Sequence, residues 1–123
     1  MTIIEAINAV DALKPNTYTQ SEKIRWLSTL DGLIYREIIQ THTDTENVEF
    51  DGYTDDTPVD TVLLVESPYD ELYIAWLESK IDYSNAEYSK YNNSITRFND
   101  AYSAFSKYYN RTNTPKTQKV KYF

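Results

Sequence analysis

Apolar residues recur at helical spacing along most of the chain, and where they stop doing so the composition changes. From Thr2 to Leu13, Ile3, Ile7 and Val10 fall on one stripe, with Ala6 and Leu13 beside it. Thr2 followed by Glu5 is a capping-box pattern. Lys14-Pro15-Asn16 ends this helix, because the residue before a proline is pushed out of the α region. A second helix starts near Thr19, where Thr19-x-x-Glu22 repeats the box. Its stripe is Ile24, Leu27, Leu30, Ile34 and Ile38, widened by Trp26, Leu33 and Tyr35. Gly32 lies inside it at a cost of about 1 kcal/mol relative to Ala, which points to a close helix crossing.

The helical period breaks between Thr41 and Thr61. Thr, Asp, Glu and Asn dominate there, punctuated by Gly52 and Pro58. This reads as a long surface excursion, with Val48, Phe50 and Tyr53 arranged for a short strand or β-hairpin around Asp51-Gly52. Long irregular loops are uncommon in compact domains and tend to be functional. Thr61 to Val65 reads as one apolar helical turn.

A third helical stretch opens with Ser67 as N-cap, Pro68 in the first helical position, then Asp70 and Glu71 at the positive end of the dipole. Its apolar and aromatic positions are Ile74, Leu77, Ile81, then Tyr88, Tyr91, Ile95, Phe98, Tyr102, Phe105 and Tyr109, interrupted at Ser84. Unbroken from Pro68 to Tyr109 it would be ~63 Å long, against a radius of gyration of ~14 Å for a domain this size. A break is therefore expected. Ser84, with Ser84-x-x-Glu87 as a third capping box, is the preferred place, and Asn92-Asn93-Ser94 is the alternative. The predicted fold class is all-α: a small helical bundle with a long C-terminal helical hairpin, an irregular acidic loop and an extended C-terminal arm. The helical domain covers 1–112 and the arm 113–123.

Charge sharpens this picture. The 123 residues carry 12 Lys+Arg against 19 Asp+Glu, a formal charge of −7. From Glu37 to Ser79 there are acids but no Lys or Arg; after Asp100 there are bases but no acid. Asp44, Glu46, Glu49, Asp51, Asp55 and Asp56 make the loop a candidate channel-facing or inter-subunit surface. The basic end of one copy and the acidic middle of the next are complementary, which favours head-to-tail association over a merely solvated loop and tail. Tyr at 83, 88, 91, 102, 108 and 109 suits half-buried surfaces between copies, although a plain core stripe explains most such patterns.

The arm has its own pattern. Pro115 stops a helix, and Lys119-Val120-Lys121-Tyr122 alternates charge with β-prone residues as an edge strand does. An isolated strand either frays or adds to another protein's sheet. Lys116, Lys119, Val120, Lys121, Tyr122 and Phe123 are therefore the candidate partner-docking residues.

Machinery for chemistry is sparse. There is no cysteine, and His42, the one histidine, reads as a surface residue at the ragged end of the second helix. Gly32 and Gly52 are too far apart for a phosphate-binding loop. Asn47-x-Glu49-x-Asp51-Gly52 has the start of a calcium loop, but Pro58 stands where its bidentate Glu is required. Asp55-Asp56 reads as a solvated pair. No catalytic, cofactor or metal site is expected. No apolar run approaches the ~18 residues of a membrane span, and the first residues lack a signal-peptide layout, so a soluble intracellular domain is expected.

Several strings together resemble a known family. They are Asp11-Ala12-Leu13-Lys14-Pro15-Asn16, Lys23-Ile24-Arg25-Trp26-Leu27, Leu30-Asp31-Gly32-Leu33-Ile34-Tyr35-Arg36-Glu37-Ile38, Pro68-Tyr69-Asp70-Glu71-Leu72-Tyr73, and Tyr91-Asn92-Asn93-Ser94 leading to Phe98-Asn99. They resemble the small head–tail connector (neck adaptor) proteins of tailed bacteriophages, over nearly the whole chain to about Thr114. The resemblance implies an all-α ring, typically of twelve copies, in the neck of the virion and assembled in the bacterial cytoplasm. Such a ring joins the portal to stopper or tail-completion proteins, and DNA passes through it without specific binding. It also implies that the C-terminal segment grips the portal. The family has no catalytic residues to carry over. A competing reading, from charge alone, is an acidic DNA mimic or regulatory binding module that uses the acids between Asp44 and Asp60.

Overall fold

The computed structural model describes residues 1–42 and 49–113. Four α-helices carry it: α1 (Ile3–Leu13), α2 (Gln20–Glu37), α3 (Glu71–Ser84) and α4 (Tyr88–Thr112), with a short 3₁₀ turn at Ile39–Thr41. Both N-terminal capping boxes form. Thr2 Oγ1 accepts from the Glu5 amide at 3.2 Å while Glu5 Oε1 accepts from the Thr2 amide at 2.8 Å. Thr19 and Glu22 repeat this at 3.1 and 3.3 Å. Those hydrogen bonds from Thr2 to the Glu5 carboxylate hold its pKa below the ordinary range.

The core is the meeting of three helical stripes. Ile3, Ala6, Ile7 and Val10 of α1, Ile24, Leu27, Leu30 and Ile34 of α2, and Leu72, Tyr73, Leu77 and Ile81 of α3 are buried together. The fourth helix lies antiparallel along α3: Asp82 meets Ser94, Glu78 meets Arg97 and Trp76 meets Phe98. Its burial is one-sided, since among its residues only Ser94, Phe98 and Phe105 are buried. Tyr69, just before α3, continues the same seam onto Phe105 and Tyr108.

The chain reverses between α3 and α4 at Asn85–Glu87, and α4 runs uninterrupted through Asn92-Asn93-Ser94. The third capping box does not form, because Ser84 stays inside α3 and Glu87, the residue before α4, makes no side-chain cap. A Schellman-type ending replaces it. The Glu87 amide donates to Asp82 O at 2.9 Å and the Ala86 amide to Tyr83 O at 3.0 Å. Ala86 thus sits at φ 59°, a left-handed position that glycine normally fills. Ala86→Gly is expected to stabilise the protein by about 0.5–1 kcal/mol, because Gly relieves the Cβ penalty of that conformation. A urea midpoint unchanged or lowered in the variant would contradict this.

Three other local expectations need correction. The third helix begins at Glu71, not at Pro68. Residues 66–70 are used in tight turns, with the Tyr69 amide on Glu66 O and the Leu72 amide on Tyr69 O, and the Ser67–Pro68 peptide is cis. Thr61–Val65 is not helical: Thr61 to Leu63 pairs with the start of the chain, and the backbone bends at Leu64 and Val65. Ile3 N donates to Thr61 O and Leu63 N to Met1 O, both at 3.0 Å, around an isolated Thr2–Val62 bridge. Among the described residues no strand forms at Phe50–Tyr53 (Val48 lies outside them), since those rings are used against α2 instead.

Candidate functional site

The acidic segment is a strap fastened at both ends. Phe50 packs on Tyr35 of α2 (centroids 6.2 Å apart) and edge-on against Tyr53 (5.0 Å). The Tyr53 amide donates to Ser28 Oγ at 3.0 Å, and Val59 O accepts from the Ile4 amide at 2.9 Å. Gly52 makes the close approach possible: its φ is +92°, and a Cβ there would meet Ser28 Oγ at 3.2 Å. Gly32 faces the Phe50 ring, not a second helix, and so marks no helix crossing.

Fastened this way, the strap turns its carboxylates to solvent. Glu49, Asp51, Asp55 and Asp56 are all exposed. Asp55 and Asp56 ride on a tight turn in which Thr54 and Thr57 exchange hydrogen bonds. Asp51 also borders a depression of about 570 Å³ beside Gly32, Tyr35 and Arg36. Asp44 and Glu46 lie outside the described residues, as do Lys116, Lys119, Val120, Lys121, Tyr122 and Phe123 of the arm. Among the described residues no group of His, Asp and Glu could hold a metal ion, and no helix is long and apolar enough to cross a membrane.

The residues that sequence reasoning passed over are buried and polar. Asp31 is fully buried on α2, where its Oδ1 accepts from the Tyr73 hydroxyl at 2.6 Å. Its Oδ2 accepts from the Tyr53 hydroxyl at 2.5 Å and the Leu64 amide at 3.1 Å. Tyr73 in turn accepts from the Val65 amide at 2.8 Å. One carboxylate thus ties α2, the strap, the 61–65 segment and α3. Burial raises the Asp31 pKa above the usual carboxylate range, and the two phenols and the Leu64 amide only partly oppose it. Burial and the facing carboxylate push both phenols well above the normal tyrosine value.

Two further struts follow the same logic. Asp82, buried on α3, takes the Lys14 ammonium at 2.5 Å and the Ser94 hydroxyl at 2.9 Å, joining the end of α1 to α3 and α4. Lys23, itself buried, reaches Asp11 at 2.7 Å. Burial pushes Asp11 up, but the hydrogen bonds from Lys23 and Asn16 and the Lys23 charge outweigh it and hold its pKa low. His42 is also interior rather than on the surface: its Nδ1 lies 2.6 Å from Ile38 O and its Nε2 3.0 Å from Asn110 Oδ1, under the Tyr109 ring. Register was the available signal for Asp31, which lies four residues after Leu27 and three before Ile34 on the α2 stripe; Asp82, with Glu78 and Ser79 as its i−4 and i−3 neighbours, carried no such signal.

The tyrosines divide. The Tyr102 hydroxyl donates to Glu37 at 3.1 Å, and burial with that bond pushes its pKa up to about 12. Tyr108 stacks on Tyr69. Tyr83 and Tyr88, at 59% and 58% exposure, form an open aromatic cluster with Tyr91 at the α3–α4 turn. No family model, curated protein or solved structure matches the chain.

Proposed function

We propose that this protein is a structural component of a tailed-bacteriophage neck, one copy of a ring, typically of twelve, that connects the portal to stopper or tail-completion proteins. In this reading the α3–α4 hairpin stiffens the subunit, the acidic strap faces the channel or a neighbouring subunit, and residues 113–123 form the arm that docks on the portal. The observation that carries it is where the connector-like strings fall. Asp11 and Lys23, and Asp31 and Tyr73, come from different strings and bond each other, while Lys14 and Ser94, also from different strings, both bond the buried Asp82. The likeness therefore lies in the framework of the fold and not in a solvated surface motif.

The surface chemistry supports the same reading. An exposed carboxylate strap repels DNA phosphates, whereas DNA binding needs clustered Lys and Arg. A strap held by backbone bonds and aromatic anchors keeps those charges in place while DNA slides past. No catalytic step is assigned to it.

The test is co-expression with the portal protein of the same phage, followed by sedimentation and negative-stain imaging. The full chain is expected to co-sediment with the portal as a ring. A variant lacking Thr114–Phe123 is expected to lose at least 100-fold in affinity while its helical circular dichroism is unchanged. Equal docking by the truncated chain would overturn the arm. Recovery of a nuclease or repressor in place of the portal would favour the DNA-mimic reading instead.

A further inference from the structure

We propose that the aromatic groove between the turn before α3 and the last turns of α4 is a seat for this chain's own segment Lys119–Phe123. The groove has a volume of about 330 Å³; Leu64, Tyr69, Phe105 and Tyr108 are among the apolar and aromatic residues that line it, and Glu66, Ser67 and Asn113 are its polar ones. This is at the small end of pockets that hold a ligand, and its lining is mainly apolar with a few polar groups, as such sites usually are. A face of stacked phenols and one carboxylate suits an amphipathic cationic peptide better than an anion or a sugar phosphate.

Three observations select the occupant. The first is position. Asn113 lines the groove and is the residue from which the chain continues, so Lys119 is only six residues beyond its edge. Six residues span at most ~20 Å when extended, and Asn113-Thr114-Pro115 is a turn-forming sequence that favours a return. A segment tethered this closely is present at an effective concentration on the order of millimolar, well above that of any free competitor.

The second is pattern. In an extended segment Val120 and Tyr122 point to one side, Lys119 and Lys121 to the other. Val120 and Tyr122 then meet Tyr69, Phe105 and Tyr108, and the lysines stay at the wet margin. The third is charge. Residues 114–123 carry Lys116, Lys119 and Lys121 and no acid, while the exposed Glu66 stands at the groove. Among the described residues, a separate depression on the other side of Tyr69 sets Lys107 and Arg111 against the one carboxylate of Asp100 and so stays net positive, whereas the groove carries Glu66 and no base, which favours the cationic segment at the groove.

This goes beyond the neck reading and stands without it. A seated segment is withheld from outside partners, so any protein that takes Lys119–Phe123 must first displace it from Tyr69 and Tyr108. Such a contact would delay use of the arm until a tighter-binding surface is offered.

The natural chain lacks cysteine, so introduced thiols report without background. The experiment is bis-maleimide cross-linking of the full-length double variants Ser67→Cys/Gln118→Cys and Ser103→Cys/Gln118→Cys at micromolar concentration. Position 67 is on the groove and position 103 on the opposite side of Tyr69. Intrachain cross-linking is expected to be at least tenfold faster at position 67. That bias is expected to vanish when Val120 and Tyr122 are both changed to Ser, which leaves the helical domain untouched, and to weaken severalfold with Glu66→Lys. Equal rates at the two positions would overturn the proposal. So would cross-links that form only between chains and accelerate with concentration, because they would make the occupant a second copy.

Discussion

Replacing Asp31 with Ala is expected to destabilise the protein by about 3–5 kcal/mol, lowering its melting temperature by roughly 10 °C or more. The carboxylate is fully buried and is the acceptor for Tyr53, Tyr73 and the Leu64 amide. Removing it strands three donors, and each buried unsatisfied group costs about 1–3 kcal/mol. Part of this is recovered if the Tyr53 hydroxyl, which is closer to the surface, turns to water. Asp31→Asn separates the acceptor role from the charge. Its carbonyl oxygen can still accept from Tyr53 and Leu64, its amide nitrogen faces the Tyr73 oxygen, and only the Tyr73 hydrogen loses an acceptor. A loss of about 1 kcal/mol is expected, because relief from burying a charge offsets much of the lost bond. Urea titrations of both variants at pH 7 decide it. An Asn variant as damaged as the Ala variant would mean that the charge itself is required, and a neutral Ala variant would mean that the node contributes nothing.

The same residue has a pH signature of unusual sign. Burial holds the Asp31 pKa in the folded state above its unfolded value of about 3.9. The folded state therefore binds more protons between those two values. Asp31's contribution is fully present below the unfolded pKa and is lost as pH rises through the folded one. Glu5 and Asp11, whose pKa values are lowered in the fold, act the other way: their contribution is present above their unfolded values and is lost on acidification. The stability difference between the natural protein and Asp31→Asn isolates the first term, since the other carboxylates cancel. It should be most favourable to the natural protein below pH 4 and shrink with rising pH.

How legible the fold was depended on how local the cause was. Thr2, Glu5, Thr19 and Glu22 satisfy one another within a single turn, so sequence spacing alone places the starts of α1 and α2. Ser67 and Ser84 have equally good local patterns, and neither caps a helix. Long-range contacts decided those cases. Tyr69 is held against Phe105 and Tyr108, and the Asp82–Ser94 bond sets how α4 lies on α3. The path of Thr61–Leu63 is likewise set by residues some sixty positions away, Met1 and Ile3, which no local window contains. At the candidate site, the exposure of Asp51, Asp55 and Asp56 follows from composition. The anchoring by Phe50, Tyr53 and Ser28 does not, because it depends on where the strap crosses α2.

Lys14→Met should cost more than Asp82→Ala, although both break the same ion pair. The asymmetry comes from what each change leaves behind. The Asp82 side chain is 1% exposed and Lys14's is 22% exposed. Removing the aspartate leaves a lysine whose flexible stem carries its ammonium to water, and Ser94 keeps Lys90 O and Tyr91 O as acceptors at 3.2 Å. The expected loss is about 2 kcal/mol, the worth of charge-assisted hydrogen bonds. Removing the lysine leaves a carboxylate sealed between α3 and α4 with Ser94 as its remaining side-chain donor, and an uncompensated buried charge costs about 3–5 kcal/mol. In the double variant Lys14→Met/Asp82→Leu the charge is gone and apolar volume fills the site, so stability should return to within about 1–2 kcal/mol of the natural protein. Urea midpoints of the natural protein, Lys14→Met, Asp82→Leu and Lys14→Met/Asp82→Leu close the cycle that measures the coupling directly. If Asp82→Ala proves the more damaging single change, the carboxylate is acting through its bond to Ser94, and the strut's main task is to dock α4 rather than to hold the end of α1.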